Sequence, residues 1–282
     1  MRISHNISAM NTYRQYNANA IAASKSMEKL SSGSRINRAA DDAAGLSISE
    51  KMRSQIRGLT QATRNAQDGI SFLQTAEGAL NEVSDMLVRL KELSVQVQNG
   101  TYSAEDKANI GAEMKALGTA ITGIYVNTKF NGIAVFGTQS GTDTLAVNDG
   151  TAEAASIAYG EDGNQKVSIK AAATTNLNAL TTLTAAADTA PDAVAVTTVE
   201  AAITEVNTTR ATYGALQNQL EHASNNMATT KENLQAAESR IRDVDMAEEM
   251  MEYTKNNILL QAAQSMLAQA NAQPQGVLQL LK

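Results

Sequence analysis

Cysteine is missing from this 282-residue chain, which excludes disulfides, thiolate metal sites and a cysteine nucleophile. Tryptophan is missing too, and aromatic residues make up only 4% of the chain. Ala, Leu, Met, Ile and Val must then supply the core, which suits close helix-on-helix packing and a mainly α fold. Proline occurs twice, at Pro191 and Pro274, so nothing in the first 190 residues forbids long uninterrupted helices. The formal net charge of −6 provides no basic field for nucleic acid. Residues 1–30 have no continuous apolar stretch, only scattered Arg2, His5, Arg14 and Lys25, so no cleavable secretory signal is visible.

Two local absences say more. No residue from Met1 to Met27 is acidic, and none from Asn256 to Leu281 is charged at all. Segments this rich in Ala, Leu, Met, Gln and Asn are costly to leave in water, yet too polar for a hydrocarbon core, so no membrane insertion is expected. They call for protein partners. Both read as helices, which implies that they pair with each other and with copies of themselves.

What is present is periodic. Tyr13, Tyr16, Ala20, Ala23, Met27 and Leu30 follow a 3,4 spacing on one helical side, with Ile3, Ile7, Met10 and Ile21 off that line, until residues 31–34 break the pattern. A helix is predicted from about Asp42 to Gln98, on the order of 85 Å long at 1.5 Å per residue. Its two seams step by sevens, through Met52, Leu59, Ala66, Leu73, Leu80 and Leu87 and through Ala62, Gly69, Ala76, Val83, Leu90 and Val97. Ser103 with Glu105 and Asp106 signals another helix running to about Asn127. From about Val199 a second array places Tyr213, Leu220, Met227, Leu234 and Ile241 on one seam, with Leu216, Ala223, Thr230, Ala237 and Val244 on the other. Between the arrays, turn dipeptides such as Asn131-Gly132 and Asp162-Gly163 separate short β-formers, which predicts hairpins. The Ala- and Thr-rich stretch that follows reads as a small solvent-facing part. The expected architecture is a long antiparallel helical bundle or coiled coil, with both termini helical and paired and a small hairpin-containing middle.

The residues offer little chemistry. His5 and His222 lack spaced partners, and Asp243, Asp245, Glu248, Glu249 and Glu252 spread around a helix axis as a solvated or salt-bridged face. No catalytic, cofactor-binding or metal site is assigned, and no enzyme is expected.

Several long segments now converge. ISHNISAMNT (residues 3–12), LSSGSRINRAADDAAGL (30–46), GLTQATRNAQDGIS (58–71), ESRIRDVDM (238–246) and QPQGVLQLL (273–281) together resemble bacterial flagellin, over roughly the first 137 and last 85 residues. The resemblance implies a structural subunit that polymerises through its terminal helices into the flagellar filament for swimming motility. It implies an inner coiled-coil domain from residues 1–33 and 246–282, an outer helical domain from 34–137 and 199–245, and a short variable surface region, 138–198. Assembly contacts are expected from Ile3, Ile7, Met10, Tyr13, Tyr16, Met27 and Leu30 at one end. Ile258, Leu259, Leu267, Val277, Leu278, Leu280 and Leu281 are their counterparts at the other. Implied partners are further copies of the chain in an open helical homopolymer, an export chaperone, the filament cap and hook–filament junction proteins. The implied location is the extracellular filament, reached by type III export without a cleaved signal peptide. Arg89, Leu93 and Glu113 match the family's patch for Toll-like receptor 5. The competing readings are a hook–filament junction protein and a membrane-active amphipathic helical protein.

Overall fold

The structure is a computed structural model that describes residues 6–136, 153–160, 163–187 and 189–280, with side chains described as far as residue 273. Its elements are α1 (Ile7–Ser32), α2 (Ala43–Val97), α3 (Ala104–Asn127), β1 (Lys129–Phe130), β2 (Ile133–Ala134), β3 (Glu153–Ala158), β4 (Lys166–Lys170), α4 (Thr175–Ala185), a 3-10 turn (Pro191–Ala193), α5 (Val196–Arg242) and α6 (Met246–Leu280). The chain divides into two compact units. Unit 1 is Met1–Ile56 with Glu232–Lys282, and unit 2 is Arg57–Lys231. The division lies inside α2, between Ile56 and Arg57, and inside α5, between Lys231 and Glu232.

In unit 2, α2 carries the core. Leu59, Ala62, Ala66, Leu73, Ala76, Leu80, Val83, Leu87, Leu90 and Val97 are all buried, so both expected seams close over Cβ-rich packing. On α5 the facing residues are Val199, Ala202, Val206, Thr209, Tyr213, Leu220 and Met227. Lys91 pairs with Glu200 at 2.9 Å and Gln217 donates to Glu77 at 3.1 Å, so numbers rise along α2 as they fall along α5. The two helices are antiparallel. The α5 array is less complete than expected: Leu216 and Ala223 are half-buried and Thr230 is exposed. A small or polar residue at every second seam position leaves little apolar surface to bury there.

Turn chemistry explains the first hairpin, β1–β2. Asn131 and Gly132 both adopt positive φ, 51° and 80°, as a two-residue type I′ turn needs, and Lys129 pairs with Ala134. The second, β3–β4, is antiparallel with Ile157 opposite Val167. Residues 171–198 are better packed than the solvent-facing reading allows. Ala171, Ala172, Leu177, Leu180, Ala187 and Val194 are buried. The Glu205 carboxylate of α5 accepts from the backbone N–H of Thr175, Asn176 and Leu177 at 2.8–3.1 Å, capping α4 from outside its own sequence. Gly118 of α3 allows the close approach, since a Cβ there would overlap Thr184 of α4.

Candidate assembly surface

Unit 1 is built around α1 and α6, whose backbones run close together along their lengths. Asn6 caps α1, accepting from Ala9 N–H at 3.1 Å, while its side-chain amide donates to the Ala270 carbonyl at 2.8 Å. That carbonyl sits four residues before Pro274, which has no N–H to give it. Asn6 therefore supplies the donor that proline withholds, and fixes the register of the pair. At the far end Lys29 meets Glu249 at 3.2 Å.

The buried line of α1 includes Ala23 and Ser26, continued by half-buried Ala9, Thr12, Tyr16, Asn19 and Leu30. On α6 it runs through Asn256, Ala263 and Ala270, with half-buried Tyr253, Leu260 and Leu267 between them. Small side chains let the helices approach closely. This corrects the sequence-based line on two points: Tyr13 and Met27 do not share the inward side of Ala23 but are more than half exposed. The fully buried positions of the seam are small or polar, Tyr and Leu flank them half-buried, and the remaining bulky residues face outward.

The joint after α1 accounts for the segment 30–46. Gly33 takes a left-handed φ of 67° and closes α1 with a 2.8 Å bond to the Lys29 carbonyl. The chain then pairs with the break between α5 and α6: Arg35 N–H donates to the Arg242 carbonyl at 2.6 Å and Val244 N–H to the Gly33 carbonyl at 3.1 Å. Asp42 caps the next helix through Gly45 N–H, and Gly45 has no Cβ where one would strike the buried Ile36. Asp41 accepts from Lys25 at 2.8 Å and from the backbone of Arg38 and Asn37. Those bonds, the Lys25 one foremost, hold its carboxyl down at about 2. Arg242 holds Glu50 at 2.7 Å and lowers its pKa as well, and Arg53 reaches Glu238.

What the pair leaves uncovered is the functional clue. Eleven of the fifteen exposed large hydrophobic residues among the described ones lie on α1 and α6. They are Ile7, Met10, Tyr13, Ile21 and Met27 on α1, and Met246, Met250, Met251, Ile258, Leu259 and Met266 on α6, each 41–70% exposed. On α6, Met251 with Ile258 and Leu259 with Met266 repeat at seven-residue spacing, away from the side that meets α1. So many exposed large apolar residues on two paired helices mark an interaction surface.

Of the expected assembly residues, Ile7, Met10, Tyr13, Met27, Ile258 and Leu259 lie on this face, whereas Tyr16, Leu30 and Leu267 are half-buried on the α1–α6 seam. Ile3 and Leu281 fall outside the described residues. Val277, Leu278 and Leu280 lie within α6, beyond the described side chains. Sequence reasoning missed Met246, Met250, Met251 and Met266, and noted Ile21 without assigning it. None of these methionines shares the heptad position of the buried Asn256, Ala263 and Ala270, and that mismatch with the inward line is the signal that points to them. In unit 2, Arg89 pairs with Glu113 at 2.9 Å and Glu92 at 3.0 Å on the surface. Leu93 is 1% exposed, so it packs in the core and is not available on the surface as the patch implied by the resemblance would need. Among the described residues no helix is long and apolar enough to cross a membrane.

Comparison with known proteins gives a consistent answer. Residues 3–142 match the bacterial flagellin N-terminal helical region, and residues 196–281 match the bacterial flagellin C-terminal helical region. A flagellin from Bacillus subtilis (strain 168) is 49% identical, with 100% of each chain covered. A flagellar filament 33 kDa core protein from Treponema phagedenis is 45% identical, also with 100% of each chain covered. The solved structure of a putative flagellar hook-associated protein from Vibrio parahaemolyticus shares the fold, with a TM-score of 0.60 at 15% identity, over 72% of this chain and 100% of its own.

Proposed function

The chain belongs to the bacterial flagellin family, and from that premise we propose that the uncovered face of α1 and α6 is the surface through which this filament subunit polymerises. The protein is a structural component of the bacterial flagellar filament. The observation that carries the mechanism is the contrast within unit 1: α1 and α6 meet through small residues and turn eleven large apolar ones outward. A surface of that kind is stable only when neighbours cover it. The occupant is another copy of the chain, which meets this face head to tail through a different part of its own surface, and such a contact generates an open helix where its rotation does not close.

The finer partners rest on the same surface. Before polymerisation an exposed apolar face needs a cover, which supports an export chaperone. Delivery without a cleaved signal, and contact with a filament cap and hook–filament junction proteins, follow from the family's way of building the filament. Recognition by Toll-like receptor 5 would rest on Arg89 and Glu113, since Leu93 cannot reach a partner while unit 2 is folded.

Seeded polymerisation of the purified full-length chain, viewed by negative-stain electron microscopy, tests the reading. Long filaments are expected, together with their loss in Ile258→Asp without change in the monomer's circular dichroism. Filaments of normal length from Ile258→Asp combined with Met266→Asp would refute the assigned face. Failure of the unaltered chain to polymerise under any salt or seeding condition would refute the polymerising role.

A further inference from the structure

The exposed face has a chemical property that its size alone does not explain. Six of the eleven residues on it are methionines: Met10, Met27, Met246, Met250, Met251 and Met266, each 49–67% exposed. All six belong to unit 1. In unit 2, by contrast, Met114 and Met227 are buried. With no cysteine and no tryptophan in the chain, thioethers are its most readily oxidised groups. Met250 and Met251 also line a shallow hollow of about 400 Å³ with Thr254, Lys255 and Ile258, so a small oxidant reaches both side chains.

We propose that these six methionines are an oxidative modification site, at which peroxide converts the free subunit to a form that cannot polymerise, while assembly shields them. The inference rests on the polymerising face proposed above. The chemistry is a two-electron transfer of oxygen. A sulfur lone pair attacks one oxygen of hydrogen peroxide, an S–O bond forms as the O–O bond breaks, and the departing hydroxide takes up the proton lost from the transferred hydroxyl and leaves as water. The thioether is oxidised to a sulfoxide and the peroxide is reduced. An apolar, flexible side chain thereby becomes a polar one. A sulfoxide oxygen buried between subunits without a donor should raise the critical concentration for polymerisation on the order of tenfold or more.

The test treats monomer and preformed filament with hydrogen peroxide, maps sulfoxides by peptide mass spectrometry, and then measures seeded growth by sedimentation. Sulfoxides should appear on the six positions of the monomer well before Met114 or Met227, and at least about tenfold more slowly in the filament. Oxidised monomer should fail to elongate seeds while its helical circular dichroism persists, and treatment with methionine sulfoxide reductases should restore growth. A variant with Leu at all six positions, compared with its own untreated sample, should grow equally with and without peroxide. Normal elongation by monomer carrying sulfoxides at these positions would overturn the proposal, as would equal oxidation rates in monomer and filament. If untreated chain forms no filaments, the polymerising role fails separately, and sulfoxides that do not favour the six positions would refute the modification site independently.

Discussion

Units 1 and 2 both join antiparallel helices, yet they put opposite kinds of residue where the helices meet. In unit 2 the meeting line is Leu, Val, Ala and Met, and the surface of α2 and α5 is largely polar. In unit 1 the line between α1 and α6 is Ala, Ser, Asn and Thr, with half-buried Tyr and Leu, and the bulky apolar residues are outside. Burial is worth about 25 cal/mol per Å² of apolar surface, so unit 2 gains most of its stabilisation within one chain and unit 1 defers much of it to contact with neighbours. The lesson is that a heptad-like repeat identifies a helix pair, and the size of the inward residues shows whether the pair is finished.

The contrast can be broken most severely from within unit 2. Leu80→Ala, at a fully buried position, should cost about 3 kcal/mol in chemical denaturation. An equal loss from Ile258→Ala in the monomer would erase the distinction between the units. In unit 1 the corresponding weak point is polar. Asn6→Ala removes a helix cap and the donor to Ala270, and should cost about 1–2 kcal/mol in thermal melts. In a Pro274→Ala background that cost should shrink, because residue 274 then offers its own N–H to the same carbonyl. Glu205→Ala should cost about 1 kcal/mol and speed amide exchange at Thr175, Asn176 and Leu177.

Stability should also respond at both ends of the pH scale, through carboxylates of both units in acid and through two tyrosines of unit 2 in alkali. Asp41 has its pKa held at about 2, below the unfolded value near 3.9, so its contribution is complete above about pH 4 and is lost as pH falls toward 2. Acid should therefore loosen residues 35–45 by amide exchange, and Asp41→Asn should remove that dependence. Asp106 is lowered as well through its Ser103 capping box, so the start of α3 shares the acid response. Tyr125 and Tyr213 are raised above the ordinary tyrosine range because burial disfavours the phenolate. Their contribution is intact below the unfolded value near 10 and is lost as pH rises beyond it. The buried Tyr125 hydroxyl has no hydrogen-bond partner among the described residues, so Tyr125→Phe should keep unit 2 at least as stable at pH 7 and soften its alkaline unfolding. The smallest effect is expected from Ile258→Ala, within about 0.5 kcal/mol of wild type for the monomer, although filament yield should fall.

Where large apolar residues face inward, the sequence was legible. Leu59 through Val97 repeat by sevens, and the ends of α2 and α3 lie within a residue of the predicted limits because Ser103 and Asn99-Gly100 act locally. The α1 seam was misread because pattern recognition follows bulk, and here bulk points outward. The packing of residues 171–198 was hidden for a different reason. Its cap is Glu205, some thirty residues further along, and its close contact depends on Gly118 more than fifty residues earlier. No local window contains those facts. The assembly face was only half visible: α1 stood out by its lack of acidic residues up to Met27 and the neighbourhood of Ile258 by its lack of any charge, whereas the α6 methionines needed the buried register as a reference.

The bond from Asn6 to Ala270 links positions 264 residues apart. A chain cut short before Ala270 has no carbonyl there, so its first helix keeps its cap but loses its latch. The seam of α1 and α6 is therefore a contact of very long range, closed only after a large loop-closure entropy has been met, and it belongs among the late events of folding.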